Sequence, residues 1–131
     1  MKEEIQTEAA PEPIGPYSQG IREGDTVYIS GQGPADPDTR EILVDGIRDQ
    51  TEQVIENARS VLEASGTSLD HVTRTTVFLA DMDDYDAMNE VYRKHIPHPY
   101  PARVAMEMAA LPGPFSIEIS MIARMPSGQD R

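Results

Sequence analysis

Cysteine is absent from the 131 residues. Disulfides, thiolate metal sites and thiol nucleophiles are therefore excluded. Lysine is nearly absent: Lys2 and Lys94 are the two in the chain, and arginine supplies the other basic residues. No apolar run approaches the ~20 residues that a membrane-spanning helix needs. The segment Met1-Lys2-Glu3-Glu4-Ile5 has no apolar stretch of the kind that opens a secretory signal. A cytoplasmic location without a membrane partner is the expectation. No internal repeat or low-complexity stretch is evident, and nothing reads as a linker, so one domain spanning residues 1–131 is expected.

What the chain has in excess is acid. Twenty-three Asp and Glu face eleven Lys and Arg, a net charge of −12. Such a surface repels nucleic acid and anionic lipid. The acids are spread along the chain, which favours a solvation adaptation suited to high salt over a docking patch for one cationic partner. Apolar residues make up 38% of the chain, enough for a folded core.

Residues 1–16, with Pro11, Pro13 and Pro16, read as an extended arm. "YSQGIRE" and "TVYISGQ" flank Gly24-Asp25 as a hairpin. "GPADPDTRE" (33–41) is a loop. Residues 47–65 place Ile47, Thr51, Val54, Ile55, Ala58, Val61 and Leu62 at helical spacing, with Asp45 as the expected N-cap and Gly66 after the last turn. The β-branched run 70–82 reads as a central strand with Val77 and Leu79 on one face and Val72 and Phe78 on the other. Asp81 is placed to cap a second helix over about 83–94, acidic at its start and basic at its end. Strands over about 102–109 and 116–124 follow.

The order is ββ-α-β-α-ββ, an α+β architecture: a mixed sheet of about five to six strands with two helices on one face. In the strand 102–109, Ala102, Val104, Met106 and Met108 alternate with Arg103, Ala105, Glu107 and Ala109. Two helices cover one sheet face, so apolar residues on the other predict self-association.

Several motifs fail on their spacing. Gly31-Gln32-Gly33 lacks the third glycine of a nucleotide loop, since Asp36 stands there. Asp81, Asp83, Asp84 and Asp86 resemble a calcium loop, but Asp86 and Tyr92 occupy the positions that need Gly and Glu. His95 and His98 lack a nearby third ligand, so no metal is expected. His71 reads as a surface or partly buried residue. Ser30 sits in no nucleophile elbow. Arg103 and Glu118 remain. A guanidinium holds a carboxylate through two parallel hydrogen bonds, and a half-buried glutamate can deprotonate water. Spacing alone favours a structural ion pair for each, with Glu107 as a candidate partner for Arg103.

"IGPYSQG" (14–20), "YISGQGP" (28–34), "TVFLADMDDYDAMNEVY" (76–92) and "PARVAMEMAALPGPFSIEI" (101–119) resemble, in this order, the RidA (YjgF-type) family of reactive intermediate deaminases. The resemblance implies a chorismate-mutase-like α+β fold assembled as a homotrimeric barrel, with the sheets inward and a cleft at each subunit interface. It implies hydrolysis of 2-imino acids, such as 2-iminopropanoate and 2-iminobutanoate, to 2-oxo acids and ammonia without a cofactor.

Carried onto this chain, Arg103 would pair with the substrate carboxylate and Glu118 would position water. Tyr17 would line the pocket, Ser30 and Gly31 would present backbone to the ligand, and Asn89 would lie nearby. Ala105 stands where many relatives have cysteine or threonine. That contact is attributed mainly to backbone, so activity should survive with an altered substrate range. The connector before "PAR" looks shortened relative to bacterial members. The alternatives are a non-catalytic trimer that binds small carboxylates and a ribonuclease or translation inhibitor. The −12 charge argues against the latter.

Overall fold

The computed structural model describes residues 1–43 and 45–126. Its strands are β1 (Lys2–Ile5), β2 (Gly20–Glu23), β3 (Thr26–Gln32), β4 (Val72–Leu79), β5 (Ala102–Glu107) and β6 (Ile117–Arg124), and its helices are α1 (Ile47–Ser65) and α2 (Tyr85–His95). The six strands form one mixed sheet in the order β1-β2-β3-β6-β4-β5. All pairs are antiparallel except β4 with β5. The α+β layer architecture expected from the sequence is the one observed. Among the described residues no helix is long and apolar enough to cross a membrane.

α1 buries Thr51, Val54, Ile55, Ala58, Val61 and Leu62, the stripe that a 3.6-residue period aligns. Gly66 closes it in the left-handed region (φ 95°), and Thr67 N donates back to Leu62 O. Asp45 is not the N-cap. Gly46 holds that position without a side-chain cap, and Gln50 Nε2 reaches back to Asp45 O instead. Asp81 caps a single 3-10 turn, Met82–Asp84, by accepting from Asp83 N; α2 begins only at Tyr85.

The helices cover the sheet face that carries Val27, Ile29, Val77, Leu79, Ile117, Ile119, Met121 and Ala123, all buried. Burying a side chain of this size contributes about 1.5–3 kcal/mol, so this layer is the main source of stability.

Two details depart from the sequence reading. The arm is not wholly irregular: Lys2–Ile5 pairs with β2 as the outermost strand. Its return path is held by Gln19, which is 3% exposed. The Gln19 amide donates to Thr7 O, Ala10 O and Pro11 O and accepts from Thr7 N.

β4 is also shorter than residues 70–82, because Leu69–His71 forms a 3-10 turn. The register against β6 slips between Val72 and Arg74, so Val72 turns to the helix side and is buried with Thr75, Val77 and Leu79. Phe78 alone of the expected pair lies on the open face, half-buried.

The alternation of β5 takes its sides from its register with β4. Arg103, Ala105 and Glu107 share rows with Thr75, Val77 and Leu79 and so face the helix side. Ala102, Val104 and Met106 face the open side, where Tyr28 and Val104 are exposed and Phe78, Met106 and Ile122 are half-buried.

Candidate active site

The sequence-derived site residues fall into two groups, separated by the sheet. Arg103 centres the first. It is half-buried on β5, and its row neighbour on β4 is Thr75. Thr75 Oγ1 and Tyr92 Oη are 2.8 Å apart, which fixes the Tyr92 ring beneath the guanidinium at 4.8 Å from ring centroid to Arg103 Cζ. Burial pushes the Tyr92 hydroxyl pKa up, so it stays neutral beside the arginine. Arg103 Nη2 donates to Tyr85 Oη at 2.9 Å.

No carboxylate pairs with Arg103 among the described residues. Glu107, its candidate partner, accepts from Met82 N at 2.8 Å instead. The guanidinium therefore lies on aromatic rings with donors to spare, facing a cavity of about 210 Å³ lined by Asn89, Tyr92, Arg93, Tyr100, Pro101 and Arg103. Asn89 belongs to this group, as expected. Ala105, one row along from Arg103, is half-buried beside Val77 and packs against the core.

Glu118 centres the second group. β6 alternates strictly, and Glu118 pairs with Phe78, which places it on the open face while Ile117 and Ile119 point into the core. β3 bulges opposite it: Ile29 pairs with Met121 but Gln32 pairs with Ile119, which leaves Ser30-Gly31 as the irregular step. Glu118 lies against Gly31. A Cβ on residue 31 would fall 2.8 Å from Glu118 Cδ and closer still to Oε2, so any other residue here would force the carboxylate out of this position.

Burial raises the Glu118 pKa above its ordinary value of 4.5, toward the range where a carboxylate exchanges protons with water. Ser30 is occupied locally: its Oγ donates to Ser18 O at 2.6 Å and its N–H to Gln19 O at 3.0 Å. It is a tether for the "GPYSQ" segment and has no base beside it. Tyr17, just before that tether, is 50% exposed on the surface.

The sequence reading did not find Tyr85, Tyr92, Tyr100 or Arg93 as neighbours of Arg103. A signal existed: Tyr85, Asn89 and Tyr92 follow i, i+4, i+7 on α2, one stripe of polar-tipped residues aimed at β5. The calcium-loop acids do other work. Asp81 caps a turn, while burial and the charges of Asp81 and Asp83 raise the Asp84 pKa. His95 pairs with Glu52 across the two helices at 3.1 Å. A larger cavity, about 680 Å³, lies between the arm and the loop around Asp38, but it is bridged by an Arg40–Glu12 ion pair and holds neither Arg103 nor Glu118.

The geometry thus defines an α+β domain with an aromatic-backed guanidinium on one sheet face and a half-buried carboxylate on the other. The family model described as Endoribonuclease L-PSP matches residues 7–125. A RutC family protein of Pyrococcus horikoshii is 53% identical over 94% of this chain and 98% of its own length. A human protein named 2-iminobutanoate/2-iminopropanoate deaminase is 40% identical over 91% of this chain and 87% of its own. Among solved structures, RidA from an Antarctic Psychrobacter superposes with a TM-score of 0.91 at 44% identity, covering 94% of this chain and 99% of that one. TdcF of E. coli, solved with bound serine, gives 0.88 at 37% identity over 95% and 99%. The chain belongs to this family, the one that contains the RidA deaminases.

Proposed function

We propose that this protein hydrolyses short 2-imino acids, 2-iminopropanoate and 2-iminobutanoate among them, to 2-oxo acids and ammonia, without a cofactor and as a homotrimer. The observation that carries this reading is the Arg103 guanidinium, which has no carboxylate partner among the described residues, is half-buried and opens to a cavity. A planar fork in that state suits a substrate carboxylate held through two hydrogen bonds. The relatives named as deaminases, at 39–43% identity, support the same class.

Arg103 and Glu118 cannot meet within one chain, because they leave the sheet on opposite sides. The proposed site is therefore composite. β5 is one of the two edge strands of the sheet, and an edge beside an apolar face favours docking of another copy. In the trimer, Arg103 of one protomer faces Glu118, Gly31 and Tyr17 of its neighbour, the open sheet faces lining the central barrel. Asn89 lies beside Arg103, and the Ala105 and Ser30 backbones border the ligand.

The reaction follows from these parts. Arg103 fixes the carboxylate, which orients C2. Glu118 accepts a proton from water as the oxygen adds to C2 of the imine, giving a carbinolamine. The nitrogen takes the first proton as the carbinolamine forms and a second when the carbinolamine hydroxyl gives up its own, relayed by Glu118; the C–N bond then breaks, ammonia leaves and the hydroxyl carbon becomes the C=O of the 2-oxo acid. The imine is already electrophilic, so positioning and electrostatics suffice.

The nuclease reading of the family description has no support in a chain of charge −12, which repels a phosphate backbone. The test is a threonine dehydratase reaction with semicarbazide as imine trap. Addition of this protein should speed formation of 2-oxobutanoate and lower semicarbazone yield. Binding of short 2-oxo acids without such acceleration would instead make it a non-catalytic carboxylate binder.

A further inference from the structure

Two guanidinium groups share the Arg103 cavity. Arg103 is half-buried at the sheet edge, and Arg93 is exposed in the last turn of α2. Asn89 and the tyrosines supply the remaining polar lining, and among the described residues no carboxylate lines it. In a chain with 23 acids and 11 bases, this is a local inversion of sign.

The acids nearest to Arg93 along α2 do not neutralise it. Glu90 is engaged by Arg48 of α1, at 2.8 Å from Nε. No acid lies within 4.0 Å of Arg93 among the described residues. Asp86, Glu90 and Arg48 line a separate hollow, which meets the Arg103 cavity only at Asn89 and Arg93. A short monocarboxylate needs one guanidinium. A second cation at the outer rim, on the same hollow, has a use when the ligand carries a second anionic group further along its chain.

We propose that Arg93 forms an outer anion subsite that takes the ω-carboxylate of dicarboxylic 2-imino acids, while Arg103 holds the 2-carboxylate. The inner half of this assignment rests on the proposed function. The outer half rests on Arg93, which no acid among the described residues approaches within 4.0 Å. The chemistry at C2 is unaltered: water adds, the C–N bond breaks and ammonia leaves, with the distal carboxylate serving only for recognition. The enzyme would then extend its range to imines of acidic amino acids. Arg93 also complements the negative end of α2, a structural role that responds to charge at residue 93 but not to the ligand's second carboxylate.

The test is calorimetric titration with two stable 2-oxo acids of equal carbon chain length: 2-oxoglutarate, with the distal carboxylate, and 2-oxopentanoate, without it. The wild type should prefer 2-oxoglutarate by about fivefold at low salt, the scale of one partly exposed ion pair. The preference should shrink as ionic strength rises. It should fall to about unity in Arg93→Gln and persist in Arg93→Lys, which keeps the charge. Equal affinities in the wild type, or a preference that survives Arg93→Gln, would overturn the subsite. Because the readout is a ratio of affinities, absent turnover would refute the deaminase reading while the ratio still decides the fate of Arg93.

Discussion

Arg103 and Glu118 stand on opposite faces of one sheet. Arg103 shares its row with Thr75, and Glu118 shares its row with Phe78, three residues further along β4. An odd offset on a strand reverses the face. Neither residue can serve the other within a protomer.

Arg103→Ala should lower kcat/KM for 2-iminobutanoate by about 100-fold or more, since two charge-assisted hydrogen bonds are lost together. Arg103→Lys should recover only part of this, as an ammonium cannot reproduce the fork. Arg103 contacts Tyr85 and Tyr92 of its own chain, so the oligomer should persist by size-exclusion chromatography. Wild-type turnover in the alanine variant would remove Arg103 from the mechanism.

Glu118→Gln should lower kcat by about 10²–10⁴-fold, the usual worth of a general base, with affinity for 2-oxobutanoate changed by less than about twofold. Rate should rise with pH as the carboxylate ionises, and burial places that rise above 4.5. The same shift affects stability. The folded state holds the Glu118 proton more tightly than the unfolded one. Stability therefore falls as pH climbs from 4.5 through the raised pKa, and the cost remains in full above it. Glu118→Gln should thus raise Tm at pH 7, with the gain shrinking as pH drops toward 4.5. A Tm gain independent of pH would contradict the shift.

Gly31→Ala should displace Glu118, because the added methyl would overlap its carboxylate. The expected cost is about 1–3 kcal/mol, as for overpacking elsewhere, together with a fall in kcat. The diagnostic is a double-mutant cycle: in a Glu118→Ala background, Gly31→Ala should cost much less. Equal costs in both backgrounds, read by urea unfolding, would show that the two residues do not press on each other.

Gln19→Leu removes the hub of the arm. It strands Thr7 N and the carbonyls of Thr7, Ala10 and Pro11, one of them buried. The expected loss is about 1–3 kcal/mol or more. Amide exchange should accelerate in residues 2–11 before it does in α1, showing that the damage is local.

Much of this fold can be read in the sequence where one face is dry. The α1 stripe and the β6 alternation Ile117, Ile119, Met121 follow directly from burial on one side. What escaped depends on backbone events without a sequence mark. The slip between Val72 and Arg74 inverts one residue, and no residue type announces it. β1, "KEEI", has almost no apolar pattern; its pairing rests on backbone bonds and on Gln19. Arg103 and Glu118 were found by resemblance, since spacing alone made ion pairs the better reading. Their placement on opposite faces follows only from register.

The most direct test mixes two inactive subunits. Arg103→Ala and Glu118→Gln chains, co-expressed in equal amounts, should assemble into mixed trimers in which some interfaces carry an intact arginine from one chain and an intact glutamate from the next. Random assembly in a cyclic trimer should restore about a quarter of wild-type imine hydrolysis. Activity no higher than that of the two variants alone would show that the site is not shared between chains.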